Sequence, residues 1–574
     1  MLIEYDVPIR VDDGVVLRAD VFRPPAGGQH PVILSYGPYG KGLPYQWGYR
    51  DQWQALIRNF PEVADGSSCR YQNWEVVDPE KWVPDGYTCV RVDSRGAGRS
   101  PGVLDIFSPR ETRDFYQCIE WAAVQPWSNG KVGLNGISYY AINQWLVAGL
   151  QPPHLTAMCA WEGAADYYRD WHRHGGILCT FTGTWYKAQI ETAQHGVGVR
   201  GAVDPNTGEL VAGPETLPEY ELAMNRVDPQ QEALVRDLDD RWYRQRSADW
   251  PRVTTPFLSA GNWGGHGLHL RGNVEAFVQA AARQKWLEIH ALEHWTHFST
   301  NYGLALQKRF FDHFLKGVDN SWDREPRVLL HVRHVDGVAL RKEHEWPLAR
   351  TRWRRFYIHP ADRSLRPEPA TAPDALTYSA LADGATFSTP PFEAETEITG
   401  PLAARLFIAS STTDADLFLV LRLFDPQGAE VTFPGAVEPQ APIAQGWLRA
   451  SHRKLDPRLS TPYRPYHTHD ERQPLVPGQL YEVEVEIWPT CIVVPRGYRL
   501  TLTVQGRDFE REITGQYFGP WQPMRGSGPF VHNHPWDRRP EIFGGRVTVY
   551  GGGATPSSLL VPVIPGPPPA RTRD

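Results

Sequence analysis

A chain of 574 residues is longer than one hydrophobic core can serve, so two or three domains are expected. Its 41% hydrophobic and 22% charged residues suit an ordinary globular protein, and a formal net charge of -7 gives no electrostatic reason to bind nucleic acid or an anionic membrane. No run of about 18 apolar residues occurs, the N-terminal MLIEYDVPIRVDDG is charged rather than signal-like, and the six cysteines lack CxxC spacing, so free thiols in a reducing, cytoplasmic setting are expected.

In chain order, VVLRADVF, PVILSY, YTCVRV and KVGLNG are short, apolar and rich in β-branched residues. Between the last two, PRETRDFYQCIEWAAV carries Phe115, Ile119 and Ala122 at helical spacing. This alternation predicts a mainly parallel sheet covered on both faces, over residues 1–163. The pattern resumes over 251–322 with TPFLSAG, KWLEIHAL and the helical LALQKRFFDHFLKG. Residues 164–250 are polar, aromatic and helix-like (LPEYELAMNR, PQQEALVRDLDDRWYRQR), which predicts a helical cap inserted at the strand carboxyl ends. From 323 to 574, runs such as LFLVLRLFD and YRLTLTVQG alternate with Pro/Gly-rich turns, the pattern of an all-β jelly-roll sandwich, closing on a tail, PVIPGPPPARTRD.

In KVGLNGISYYA, Ser138 follows a strand and precedes a helical run, and Gly136 allows a sharp turn between them. A strand–serine–helix elbow exposes a hydroxyl beside helix N–H groups able to hold an oxyanion. The G-x-S-x-G pattern is incomplete, because Ala141 takes the last place, so the motif alone divides evenly between a nucleophile and a structural serine. Tyr39, just past an early strand in PVILSYGPYGKG, stands where a second oxyanion donor is usually built. Two histidines in EIHALEHWTHFS, His294 and His297, are candidates for the base.

The motifs GPYGK, DSRGAGRSPG, EWAAVQPWSNGKVGLNGISYY, RGNVEAF, HWTHF and GWLRASHRKLD span nearly the whole chain. Together they resemble the cocaine-esterase-like (CocE/NonD) hydrolases, relatives of X-Pro dipeptidyl-peptidases and α-amino-acid ester hydrolases. The resemblance implies an α/β-hydrolase domain, a helical cap and a non-catalytic C-terminal jelly roll. By position it implies Ser138 as nucleophile, His297 as general base, and Tyr39 with the backbone N–H of Tyr139 as oxyanion hole; His294 falls where the family usually has a non-catalytic residue. The family's acid sits in a Gly-Trp-x-Asp setting, whereas SAGNWGGHGLHLRGN places Gly265 there. Glu162, in MCAWEGAAD on the strand after the nucleophile, is taken as the relocated acid, since Ser138, Glu162, His297 keeps the serine–acid–histidine order. The competing readings are a Glu162–Arg169 pair, Asp166 or Glu293 as the acid, and a dyad served by water or a carbonyl; His266 can only line a pocket.

The expected function is a serine hydrolase cleaving small-molecule esters or amides through an acyl-enzyme. An acyltransferase on the same scaffold and an inactive ligand- or carbohydrate-binding homologue are the alternatives. Cap acids such as Asp166 and Asp170 are candidates for holding a substrate amine. No cofactor or metal is expected: GVGVRG follows a helical run rather than a strand, HExxH is absent, and the His172/His174, His467/His469 and His532/His534 pairs lack partners at zinc spacing. The expected partner is the small ester or amide substrate, with no nucleic acid and no membrane; a homo-oligomer stays open.

Overall fold

The computed structural model describes residues 1–382, 384–512 and 524–569. Its first part is built on ten strands: β1 (Leu2–Arg10), β2 (Val16–Arg23), β3 (His30–Gly37), β4 (Thr88–Asp93), β5 (Ser128–Ile137), β6 (Leu155–Trp161), β7 (Phe257–Asn262), β8 (Lys285–His290), β9 (Val328–His334) and β10 (Gly337–Glu343). Their spatial order is β1-β2-β4-β3-β5-β6-β7-β8-β9-β10, parallel from β4 through β9 and antiparallel at both ends. The central strands are buried along their whole length, which is why they read as unbroken apolar runs rather than alternating ones.

Strand parity divides the core into two layers. Val32, Leu34, Val132 and Leu134 face helices α1 (Pro109–Ala123) and α2 (Tyr139–Ala148), while Ile33, Ile137 and Trp161 face α4 (Asn301–Phe311). Helix α3 (Leu270–Gln279) follows β7. Helix α1 begins where its sequence dictates: the Ser108 hydroxyl accepts from the Glu111 N–H and Pro109 occupies the first turn. Among the described residues, no helix is long and apolar enough to cross a membrane.

Between β6 and β7 the chain makes short helices rather than the long ones its pattern suggests, among them Glu219–Met224, Pro229–Val235 and Arg241–Arg244. Asp228 and Asp240 explain the breaks, since each side chain accepts backbone N–H bonds and starts a new helix. This segment packs against the C-terminal part through buried contacts: the Arg173 guanidinium to Asp537 at 2.8 Å, and His174 Nδ1 to His532 Nε2 at 2.8 Å.

The C-terminal part is a β domain whose strands pair antiparallel, Thr396–Ser410 with Tyr481–Val494 and Asp416–Phe424 with Arg499–Gln505. Leu406, Leu419, Val485, Leu502, Val549 and Val561 fill its core. The β9–β10 hairpin bridges the two parts: β9 pairs with β8 and also touches the C-terminal strands at Arg333–Ile492. The tail read from the sequence begins as a strand, Ser558–Ile564, paired with Arg352–His359; residues 570–574 lie outside the described ones.

Candidate active site

Ser138 sits between β5 and α2 with φ 54° and ψ -112°, backbone angles that a non-glycine residue holds only when its surroundings enforce them. The Ser138 N–H donates to the Trp161 carbonyl (2.9 Å), and the Ile137 N–H donates to the Glu75 carbonyl (2.9 Å), locking the turn from both sides. Gly136 is needed for close packing, because a Cβ there would lie 2.4 Å from the Tyr140 Cβ. The extra methyl of Ala141 is accommodated across the way: a Cβ on Gly163 would come within 3.3 Å of it. The missing glycine of the elbow pattern is thus compensated by Gly163, just past the neighbouring strand β6.

The histidine at Ser138 is His269, whose Nε2 lies 3.2 Å from the Ser138 Oγ. Helix α3 starts one residue later, and the Gly265 carbonyl accepts from the N–H groups of both His269 and Leu270. The turn that carries Gly265 in place of the family's aspartate therefore delivers a histidine instead. Burial, then the nearby His294, holds His269 well below the usual imidazole range, so the ring is neutral and able to accept a proton. His297, the base implied by resemblance, is not at the serine. It lies on the single turn Thr296–Ser299, stacked on His290 at 4.8 Å and 3.7 Å from the Glu288 carboxylate. That turn folds its side chain back against β8 and β9, away from the elbow.

Glu162 is fully buried at the end of β6, with φ 56°. Its Oε2 accepts from Asn262 Nδ2 (2.9 Å) and stands 3.9 Å from His269 Nδ1, while its Oε1 is 2.8 Å from His290 Nε2. Burial pushes its carboxyl up to about 8. The 3.9 Å gap to His269 is longer than a hydrogen bond. Glu162 makes no pair with Arg169, whose guanidinium binds Asp166 and Asp239 at 2.9 Å each. Glu293 accepts from the Thr296 hydroxyl (3.0 Å), and the buried Asp170 is paired with Arg271 at 2.9 Å.

Tyr39 and Tyr139 complete the site. The Tyr39 hydroxyl accepts from Trp185 Nε1 (3.2 Å), which leaves its own proton free to donate into the pocket. Burial, then the charge of Glu75, raises its pKa well above the phenol range, so it stays a donor. Its loop is braced from below, where the Lys41 N–H donates to Asp93 (2.6 Å) and the Lys41 ammonium reaches Asp6 and Asp20. The Tyr139 side chain is spent on Glu111 (2.7 Å), but its backbone N–H heads α2 and has no acceptor one turn back. The same pocket holds a second buried pair: His294 Nε2 lies 3.2 Å from Glu75 Oε1, and its ring is 5.5 Å from that of His269. Burial works against the charged form of His294, yet the Glu75 hydrogen bond and charge outweigh it and raise its pKa, while burial lifts Glu75 to about 7.

A family model described as X-Pro dipeptidyl-peptidase (S15 family) matches residues 13–299, and another, described as the X-Pro dipeptidyl-peptidase C-terminal non-catalytic domain, matches residues 320–559. The chain belongs to the S15 family. A solved CocE/NonD family hydrolase from Staphylococcus aureus is 31% identical to it, with a TM-score of 0.82 over 98% of this chain and 94% of that one. The cocaine esterase of Rhodococcus sp. (strain MB1 Bresler) is 25% identical over 88% of this chain and 90% of its own length. A solved α-amino acid ester hydrolase, 15% identical with a TM-score of 0.65, is alike in fold alone. This S15-family chain is accordingly a CocE/NonD-like serine hydrolase with an α/β-hydrolase part and a C-terminal β domain.

In this S15 hydrolase the residue that sequence reasoning missed is His269. Its signal was present in GGHGLHLRGN, a second histidine in the turn where the acid was sought, placed just before a helix.

Proposed function

We propose that this S15-family chain hydrolyses small-molecule esters or amides, with Ser138 as nucleophile, His269 as general base and Glu162 as the acid that orients it. The observation that carries the reading is His269 Nε2 at 3.2 Å from Ser138 Oγ on a strained strand–helix elbow. In the first step the Ser138 proton passes to His269 Nε2 as Oγ bonds to the substrate carbonyl carbon. The carbonyl electrons move onto oxygen, which the Tyr39 hydroxyl and the Tyr139 N–H hold; each such donor is worth roughly 3 kcal/mol in comparable sites. Collapse expels the alcohol or amine, which takes the proton back from His269, and water then repeats the sequence on the acyl-enzyme. Glu162 stabilises the transient imidazolium once its 3.9 Å separation from Nδ1 closes.

Residues 164–250 act here as a cap, and the C-terminal domain, read as a jelly roll, forms a wall rather than part of the chemistry. Phe530 and Val437 from that domain join Trp74, Phe181, Trp185 and Trp295 around the serine. Such an apolar, aromatic enclosure favours a compact apolar acyl or aryl group. The deciding experiment is a stopped-flow assay with a short-chain p-nitrophenyl ester. A burst of p-nitrophenol followed by steady turnover, both lost in Ser138→Ala, supports the reading. No turnover and no labelling by a fluorophosphonate probe refutes it. A burst whose acyl group appears on an added alcohol in preference to water would turn the assignment to acyl transfer.

A further inference from the structure

Next to the serine site, on β8 and β9, lies a second cluster that the proposed reaction does not use. Glu288 on β8 is fully buried, and neither of its carboxylate oxygens has a hydrogen-bond partner among the described residues. Both ring nitrogens of His297 are equally unpartnered, as is Nε2 of His331 on β9. Gathering a buried carboxylate and two imidazoles with none of these atoms in a hydrogen bond costs free energy unless something satisfies them.

The three groups converge. Glu288 Oε1 is 2.9 Å from His331 Nε2 and 3.7 Å from His297 Nε2, yet neither approach has the directionality of a hydrogen bond. One ligand atom from each residue lies within 4.8 Å of the other two. Tetrahedral zinc ligands at ordinary bond lengths are separated by roughly 3.3 Å, which the two measured distances bracket. The backbone builds this convergence. Leu329 is in register with Glu288, so His331, two residues along, projects from the same sheet face, and the Thr296–Ser299 turn lays His297 over it.

We propose that Glu288, His297 and His331 form a binding site for a divalent transition-metal ion, Zn2+ foremost. Two imidazoles and one carboxylate are a ligand set that such an ion accepts, with further positions left for water. The other histidine-rich cluster contrasts with it. There His174 bonds to His532 and to the Asp170 carbonyl, and His532 bonds to Asp508, so its nitrogens are already spent. The ion's role is positional. It ties the HWTHF turn to β8 and β9, and His297 stacks on His290, which lies 2.8 Å from Glu162.

The test uses the full-length protein, stripped with a chelator and titrated with Zn2+ and with Co2+. The expected result is one Zn2+ per chain, and with Co2+ the strong visible absorption of a four- or five-coordinate ion. Binding persists in Ser138→Ala, so the outcome is independent of the esterase reading, and weakens at least about 100-fold in His331→Gln and His297→Gln. His331→Gln alters the most exposed of the three ligands, and circular dichroism checks that each variant is folded. Less than a tenth of an equivalent of bound Zn2+, or a Co2+ spectrum no different from the aquo ion, overturns the proposal. Unchanged binding in folded His331→Gln overturns it as well.

Discussion

Replacing Glu162 with glutamine should move activity and stability in opposite directions, and the structure fixes both signs. Glutamine keeps an oxygen for Asn262 Nδ2 but removes the charge that an imidazolium at His269 requires. By comparison with loss of the triad acid elsewhere, kcat for a p-nitrophenyl ester, measured above pH 8 where the wild-type carboxyl is ionised, should fall by about 10⁴. Stability follows from linkage. The Glu162 carboxyl ionises near 4.5 in the unfolded chain and at about 8 when folded, because burial penalises its charged form. A folded pKa raised in this way stabilises the protein fully below pH 4.5, and the contribution is lost as pH rises toward 8, since the native state binds the extra proton. The span corresponds to roughly 5 kcal/mol as an upper figure, reduced by whatever the 2.8 Å contact with His290 returns to the ionised form. The assay is a pair of measurements on wild type and Glu162→Gln: steady-state kcat, and thermal unfolding from pH 4 to 9. The variant's melting temperature should match wild type near pH 4 and exceed it increasingly up to pH 8. Other buried carboxyls with raised values, such as Glu111 and Glu438, are common to both proteins and cancel in the difference. A loss in kcat below tenfold would remove Glu162 from the triad. A stability difference that does not grow with pH would refute the account of its burial.

The remaining predictions address the other parts of the site. His269→Ala should lower kcat by about 10⁵ or more, as loss of the base does in serine proteases, while His297→Gln costs no more than about 100-fold; the reverse order would restore His297 as the base. Tyr39→Phe should lower kcat by about 10² to 10³ with little change in KM, and Trp185→Phe, which frees the Tyr39 oxygen but keeps an aromatic ring in the pocket wall, should cost less than tenfold. Gly163→Ala places a methyl 2.8 Å from Trp145 Nε1 and 3.3 Å from Ala141, so it should destabilise the protein by about 1–3 kcal/mol in a denaturant melt. Adding Ala141→Gly should recover part of that loss, and a purely additive double variant would refute the compensation between these two positions.

The sequence alone determined the layers and the elbow that carries Ser138, because these depend on local pattern. Unbroken apolar runs alternating with amphipathic stretches can only be buried as a covered parallel sheet, and Gly136 before Ser138 allows the tight turn on which the serine sits. The position of Glu162 beside the elbow was legible for a related reason, since its strand lies next to the one that leads to Ser138. The partner of Ser138 was not legible. His269, His294 and His297 are all histidines in loops after strands, and which one points at the serine depends on how each loop leaves the sheet. Gly265 lets the first turn wind directly into α3 and present His269, whereas the HWTHF turn folds His297 over β8 toward Glu288 and His331. That choice is made by contacts among residues a hundred or more positions apart, Ser138 with His269 and Asn262 with Glu162. Only the folded chain brings them together.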